Sequence, residues 1–268
     1  MLVNSPVLPV VGAMPYRMAF AGGWIDQPFI SKHNPSPPGA MVVVGLEPTF
    51  PFMHRCGMGT STREAAKLLW GENLPDGDPA ALMRELYRTE NAQREDPSGS
   101  QDMAGIIYPG ISRLDYDYNV EGGFFPSHIE SCNDPVVAHW LEGVVYCLPV
   151  GQRPDGYHPL GEIHLEPLWI ERLGKSGHDC FDAILAMDAK GLGATMNETM
   201  ACWETILPHT VRHPSIKTDL VQLLRFYQNH YHGAMYSGCG GGYFYIISSE
   251  PVPGTFKVNI RVKSGDAQ

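Results

Sequence analysis

Two glycine-rich stretches of this chain carry hydroxyl side chains among their glycines, a combination suited to holding anionic oxygen atoms. The first is Gly57-Met58-Gly59-Thr60-Ser61-Thr62. The second runs from Gly233 to Gly242 and contains Ser237, Gly238 and Gly240. Because glycine has no Cβ, backbone amides in such loops can approach a phosphate closely. The two stretches together predict a site for a polyphosphate.

The residues that follow the first stretch strengthen this interpretation. Arg63–Trp70 consists of good helix formers, so the amides of the loop would lie at a helix N-terminus, where the helix dipole favours phosphate. Neither stretch has the Gly-Lys-Ser/Thr of a Walker loop or the Gly-x-Gly-x-x-Gly of a dinucleotide fold. Taken alone, each stretch is equally compatible with a plain turn.

The composition is that of an ordinary globular protein. Hydrophobic residues make up 43% of the 268 positions and charged residues 18%. This length fits one large domain or two closely packed ones. A formal net charge of −10 argues against a nucleic-acid or anionic-membrane partner, since both select basic patches. We therefore expect a small-molecule substrate and allow for a homodimer.

The cysteines and histidines do not indicate a structural metal site. The six cysteines form no Cys-x-x-Cys, which argues against a zinc ribbon and against a disulfide framework. With no apolar run near the roughly 20 residues of a membrane helix, the chain is expected to be cytoplasmic. His209 and His213 have helical spacing, but Pro208 and Pro214 disfavour a helix there.

Apolar runs bounded by glycine and proline predict strands, and helical periodicity predicts helices. The predicted strands are Met14–Phe20, Ala40–Leu46, Gly143–Val150, His164–Glu171, Tyr243–Ser248 and Thr255–Val262. The predicted helices are Thr62–Trp70, Pro79–Arg94, His178–Lys190, Asn197–Leu207 and Ser215–His230. Without a regular βαβ repeat, this mixture indicates an α+β fold. A turn-forming run near residue 151 predicts two domains, 1–150 and 151–268.

Four segments resemble the motifs of the GHMP small-molecule kinases, in the order in which that family has them. Pro15-Tyr16-Arg17-Met18-Ala19-Phe20-Ala21-Gly22-Gly23-Trp24-Ile25-Asp26 resembles the first motif, especially that of the heptose and fucose kinases. The stretch 57–62 resembles the second motif and 233–242 the third. Between them, Asp96-Pro97-Ser98-Gly99-Ser100-Gln101-Asp102 resembles the segment with the catalytic aspartate. The resemblance spans roughly residues 14 to 248.

The resemblance implies a role for individual residues. Asp102 would orient the acceptor hydroxyl or take its proton, and Arg17 would hold Asp102 ionised and stabilise the transferred phosphoryl group. Gly23, Asp26 and Gln101 would bind the acceptor. Three of these residues also have a purely structural interpretation. Asp102 could be a helix cap or a solvated residue, Arg17 a surface arginine on an edge strand, and Asp26 the end of a strand.

The cofactors implied by the resemblance are ATP and Mg²⁺. The two glycine-rich stretches would bind ATP through the residues Gly57, Gly59, Thr60, Ser61, Thr62, Ser237, Gly238 and Gly240. Mg²⁺ needs hard oxygen ligands, which Ser61 and Glu90 would supply. Glu85, on the same predicted helix, is a rival to Glu90, and a solvated helix carboxylate is as good an interpretation of Glu90 as a metal ligand.

The resemblance implies an N-terminal domain like domain 2 of ribosomal protein S5, a ferredoxin-like C-terminal domain, and an active site between them. It implies an ATP-dependent kinase acting on a hydroxyl of a small polar metabolite, a sugar or sugar phosphate. The alternatives are a catalytically silent ligand sensor or interaction module, and a decarboxylase that uses ATP to create a leaving group. One departure stands out: only 30 residues separate Asp26 from Gly57, fewer than is usual in the family, so adenine binding is the weak point.

Overall fold

A four-stranded antiparallel sheet forms the first half of the chain. The computed structural model describes residues 13–94, 97–216 and 218–262. The strands are β1 (Tyr16–Ala19), β2 (Gly39–Leu46), β3 (Ile111–Tyr116) and β4 (His128–Cys132), hydrogen-bonded in the order β1-β2-β3-β4. Every residue of β2 is buried, which explains its unbroken apolar run.

Three longer helices of the first half pack together, and one of them lies on this sheet. After the single turn α1 (Pro28–Ser31), they are α2 (Thr60–Trp70), α3 (Pro79–Asn91) and α4 (Gln101–Ile107). Helix α4 packs on β1 and β2. Gly105 permits this close approach, since a Cβ there would lie 2.7 Å from the Cβ of Arg17. The packing places the N-terminus of α4 beside the middle of β1.

The second half builds a smaller sheet covered by helices. Helix α5 (Pro135–Val144) leads directly into β5 (Val145–Gly151), which pairs with β7 (Gly242–Ile247), and β7 pairs with β6 (Gly233–Tyr236). The helices between β5 and β6 are α6 (Pro167–Leu185), α7 (Ala189–Ile206), α8 (Pro208–Val211) and α9 (Leu220–His230). Helix α7 packs on β6, so the sheet and the helices share one core.

Two features join the halves. Helix α6 packs on α7 and also on β2, where a Cβ at Gly174 would lie 2.7 Å from the Cα of Gly39. The C-terminal segment then touches both sheets, with antiparallel bridges from Ile260 to Leu46 and from Phe256 to Cys147. The division of the chain into two domains at residue 150 stays a prediction. Residues from both sides of this position pack into one continuous hydrophobic core.

The α+β fold is confirmed, and most predicted elements are present with shifted ends. The strand predicted over His164–Glu171 is wrong, because Pro167 begins α6 at the first helical position, where its missing N–H is not needed. Thr255–Val262 makes isolated bridges and forms no strand. In the described part of the chain, no helix is long and apolar enough to cross a membrane.

Candidate active site

A buried ion pair between Arg17 and Asp102 lies at the centre of the site. Nε of Arg17 donates to Oδ1 of Asp102 at 2.7 Å, and Nη2 donates to the same oxygen. Nη1 donates to the carbonyl oxygen of Gly57 at 2.6 Å. Burial is the largest single influence and acts to lower the pKa of Arg17, but the charge and hydrogen bond of Asp102 together with the neighbouring Tyr245 and Asp26 raise the pKa overall. The pair is fixed to the first glycine-rich loop through Gly57.

The local sequence explains why this pair can form. Arg17 lies on β1 and is only 5% exposed, and Asp102 lies in the first turn of α4. A Cβ at Gly59 would lie 2.8 Å from Cγ of Arg17, so glycine leaves room for the arginine stem. Gln101 donates through Nε2 to Oδ1 of Asp102 at 2.5 Å. Arg17 is thus a core residue with a carboxylate partner, and the interpretation as an edge-strand surface arginine is wrong.

The two glycine-rich loops lie against each other. Gly57 and Gly59 have φ of 78° and 67°, the region that favours glycine, and α2 begins immediately after them. A Cβ at Gly57 would lie 2.5 Å from the carbonyl oxygen of Ser237. Ser237 donates its hydroxyl to the carbonyl oxygen of Cys56 at 2.5 Å. The loops therefore form one concave surface of backbone beside Arg17.

Two of the loop residues named from the sequence, Ser237 and Gly240, already use a polar group in a hydrogen bond within the protein. The hydroxyl of Ser237 holds the loops together, so only its backbone faces the cleft. The amide of Gly240 donates to the carbonyl oxygen of Thr210 at 2.7 Å, which leaves that donor engaged within the protein. Gly240 also packs on the ring of Tyr157. This contact explains why position 240 is a glycine, because a Cβ there would lie 2.5 Å from the ring of Tyr157.

Glu90 and Ser61 lie together as a metal site would require. Ser61 donates its hydroxyl to Oε1 of Glu90 at 3.1 Å, and Oε2 of Glu90 is buried with no hydrogen-bond partner among the described residues. Burial, and then the charge of Asp102, raises the pKa of Glu90. The rival Glu85 instead accepts from Nε1 of Trp70 at 3.2 Å. The hydroxyl and carboxylate oxygens suit Mg²⁺, although the described residues hold no cluster of three His, Cys, Asp or Glu side chains suited to a metal.

Asp26 is the other buried acid of the site. It is 4% exposed, and burial, followed by the charge of Asp102, raises its pKa to about 7. Gly99 packs directly on its carboxylate, where any larger residue would clash. The preceding loop is fixed to α7 because Nε1 of Trp203 donates to the carbonyl oxygen of Gly23 at 2.9 Å.

The Arg17–Asp102 pair and Asp26 border one cleft of about 540 Å³. The residues named from the sequence that line it are Arg17, Gly23, Asp26, Gly57, Gln101, Asp102, Ser237 and Gly238. The other named residues, Gly59, Thr60, Ser61, Thr62, Gly240 and Glu90, do not line it, and Ser61 is exposed to solvent. Thr62 is wholly buried and donates to Oδ2 of Asp102 at 3.5 Å. Asp96 falls outside the described residues.

Sequence reasoning missed several cleft residues, above all Arg153. This side chain lies beside the third motif, where Nη1 donates to Sγ of Cys239 at 3.5 Å and Nε is buried without a hydrogen-bond partner in the described ranges. Arg153 stands in the turn-forming run at the predicted domain boundary, and a guanidinium among turn residues was the available signal. Trp24 and Trp203 line the opposite end and were also missed.

The fold was compared with known proteins. No family model and no curated protein matches the sequence. Three solved structures superpose at TM-scores of 0.57 to 0.59. A D-glycero-D-manno-heptose 1-phosphate kinase from Bacteroides thetaiotaomicron is 11% identical, with 92% of this chain and 94% of that chain covered. Lactococcus lactis galactokinase in complex with galactose is 11% identical (93% and 92% covered), and L. major mevalonate kinase in complex with R-mevalonate is 12% identical (96% and 98%).

The similarity covers nearly all of each chain, although only 11–12% of the residues are identical. The chain therefore has the fold of the GHMP small-molecule kinases.

Proposed function

We propose that this protein is a kinase that transfers the γ-phosphoryl group of ATP to a hydroxyl of a small polar metabolite, a sugar or sugar phosphate. The observation that carries the proposal is the buried Arg17–Asp102 pair, placed in one cleft between the glycine-rich loops and Asp26. Phosphoryl transfer needs charge neutralisation on one side of the reacting atoms and an oriented hydroxyl on the other.

The donor side supplies backbone and guanidinium groups. The amides at the N-terminus of α2 and the backbone of Gly238 would bind the phosphates of ATP. Arg153 would add a positive charge next to the third motif, since its Nε has no partner in the described protein. Arg17 would stabilise charge on the transferred group while holding Asp102 in place.

Asp102 is placed to act on the acceptor. Its carboxylate would accept the proton of the acceptor hydroxyl while the new O–P bond forms and the bond between the γ-phosphorus and ADP breaks. Gln101 would hold this carboxylate through its 2.5 Å hydrogen bond. Asp26 and Gly23 would bind other parts of the acceptor.

Mg²⁺ would be held by Ser61 and Glu90. Their oxygens fit its preference, and the unpartnered Oε2 of Glu90 among the described residues supports this assignment. The ion would supply charge neutralisation for the phosphates of ATP. Homodimerisation, a cytoplasmic location and the lack of nucleic-acid and membrane partners stay predictions.

An intact catalytic pair favours a kinase over a silent ligand sensor. A protein that only binds a ligand has no need to bury a guanidinium and a carboxylate together, because such a pair gives little net stability. Two sequence departures, Cys239 in the third motif and the short segment before Gly57, affect the nucleotide side and leave the pair unchanged.

Two measurements test the proposal. ATP is titrated with and without Mg²⁺ by calorimetry, and phosphate transfer from radiolabelled ATP is then screened over free sugars, sugar phosphates and other small alcohols. We expect Mg²⁺-dependent binding and transfer to at least one class. Asp179→Asn, an exposed change on α6, serves as the matched control for a removed carboxylate. Binding of ATP with no transfer to any acceptor would favour the silent alternative.

A further inference from the structure

We propose that the acceptor is an uncharged polyol, a free sugar and not a sugar phosphate, which stacks on Trp24 and hydrogen-bonds to Asp26. The proposal rests on the kinase function above and narrows its substrate class. It follows from the charges and ring faces at the end of the cleft opposite the glycine-rich loops.

The arginines that line the cleft either form an ion pair already or lie beside the glycine-rich loops, on the side proposed to bind ATP. The lining residues in the described ranges include four basic side chains, Arg17, Arg94, Arg153 and His158. Arg17 is paired with Asp102. Arg94 donates to Oε1 of Glu90 at 2.9 Å and to the hydroxyl of Ser98. A phosphate on the acceptor would have to break one of these pairs or compete for the donor side.

Arg153 belongs to the donor side. Nη2 of Arg153 lies close to Gly238, since a Cβ there would be 3.4 Å from it. Arg153 therefore stands beside the loop assigned to ATP phosphates. His158, five residues later, also lines the cleft and is exposed to solvent.

The acceptor end itself is acidic. Asp26 and Asp102 line it, and Glu90 is close by, hydrogen-bonded to Ser61 and Arg94. A phosphate dianion placed among buried carboxylates would be repelled, and its own charge would remain unpaired. A sugar hydroxyl instead donates to a carboxylate oxygen, so a neutral polyol satisfies Asp26 without added charge.

Aromatic rings form the rest of this end. Trp24, Phe29, Phe124 and Trp203 line it, and the rings of Trp24 and Phe29 meet edge to face at 6.4 Å. Trp24 has φ of 81°, a strained conformation for a bulky residue that persists only where the surroundings impose it. The amide of Gly22, which donates to Thr199 at 3.2 Å, and the contact of Trp203 with Gly23 impose it here. An aromatic face next to a few placed polar groups suits the apolar face of a sugar ring.

The first experiment compares matched acceptors. Unphosphorylated aldoses and their 1-phosphates and 6-phosphates are assayed side by side for kcat/KM, with the wild type and with Gln27→Lys, which places a cation on the cleft wall. We expect the wild type to prefer the free sugars, and the variant to shift the ratio towards the phosphates by about tenfold. A wild-type preference for a sugar phosphate would overturn the proposal while leaving the kinase function intact.

The second experiment reads binding without turnover. Saturating free sugar should change the tryptophan fluorescence of the wild type and of the control Trp140→Phe, which alters a ring on α5. The change should be clearly smaller in Trp24→Phe, where Trp203 is left in the cleft to respond to the sugar. Trp24→Ala should raise KM for the sugar by about tenfold or more, and Trp24→Phe should recover most of this loss. Sugar binding without phosphate transfer would contradict the kinase function but support a sugar site at Trp24. An unchanged KM in Trp24→Ala, or no sugar binding at all, would overturn the proposed sugar site.

Discussion

At the residue scale, the site depends on charges that are buried together. Arg17 and Asp102 come from a strand and a helix 85 residues apart, and neither could be buried without the other. Asp26 is different, because its carboxylate forms no ion pair with a described residue and carries a pKa of about 7. The two carboxylates of the cleft thus differ in their surroundings, since one is paired with Arg17 and the other is buried without a salt bridge within the described ranges.

Replacing Asp102 with asparagine should separate catalysis from nucleotide binding. Asp102→Asn keeps the shape of the side chain but removes the base, so we expect turnover to fall by about 10²–10⁴. Nucleotide affinity should change little, since the proposed role of Asp102 concerns the acceptor and not ATP. Steady-state kinetics and ATP titration measure the two effects, with Asp179→Asn as the control. Comparable turnover in variant and wild type would contradict the assignment.

The raised pKa of Asp26 predicts a pH-dependent stability. An ordinary aspartate pKa is 3.8 and that of folded Asp26 is about 7, so between these values the folded protein holds a proton that the unfolded chain has lost. The contribution of Asp26 to the free energy of unfolding therefore falls as pH rises from about 4 to 7. Asp26→Asn should raise Tm most above pH 7, and the difference should shrink towards pH 4. A difference in Tm that does not vary with pH would refute the raised pKa.

At the element scale, the segment between Asp26 and Gly57 determines what the nucleotide meets. It contains α1, β2 and a loop whose rings pack inward, with Phe52 4.8 Å from Tyr16 and Phe50 5.0 Å from Phe256. None of the residues from 47 to 56 lines the cleft. Residues 47–56 therefore stabilise the core and add no wall to the cleft, whereas Gln27, Phe29 and Met41 of the same segment line it. In the proposed kinase, a nucleotide base would gain no contact from residues 47–56.

Loose base selection follows from this arrangement. We expect GTP and CTP to be used within roughly tenfold of ATP, because missing base contacts are worth only about 1–3 kcal/mol each. If phosphates supply most of the affinity, Ser61→Ala should weaken all three nucleotides alike. Competition titrations with each nucleotide measure this. A preference for ATP above roughly a hundredfold would mean that another segment has rebuilt the base pocket.

At the scale of the whole molecule, the cleft lies where the two sheets are brought together. Helix α6 packs on β2, and the segment around Phe256 and Ile260 bridges to both sheets. Gly57 of the first half touches Gly238 of the second directly. The cleft is thus built from both halves, and its geometry depends on their joint core.

This shared core predicts one unfolding transition. Far-ultraviolet circular dichroism and tryptophan fluorescence should report the same midpoint, since neither sheet can lose its covering helix alone. ATP with Mg²⁺ at about a hundred times Kd should raise the free energy of unfolding by about 2.7 kcal/mol and move both signals together. Two separated midpoints would show that the halves unfold independently.

The sequence by itself determined the local features of this protein. The glycines of the two loops, the helix formers after Thr62 and the unbroken apolar run of β2 each follow from backbone freedom, helix propensity and burial. The four ordered motifs also predicted the fold that the solved structures share. Local chemistry sufficed here because each of these signals lies within a few consecutive residues.

Tertiary structure alone decided which residues meet. Glu90 faces Ser61 while Glu85 faces Trp70, a choice that spacing on the helix left open. Arg153 contacts the third motif from the turn-forming run at the predicted domain boundary. Trp203 donates a hydrogen bond to Gly23, 180 residues away along the chain. The strand predicted at His164–Glu171 gave way to a helix that packs on β2. Such contacts depend on how distant elements pack, and no local pattern encodes that packing.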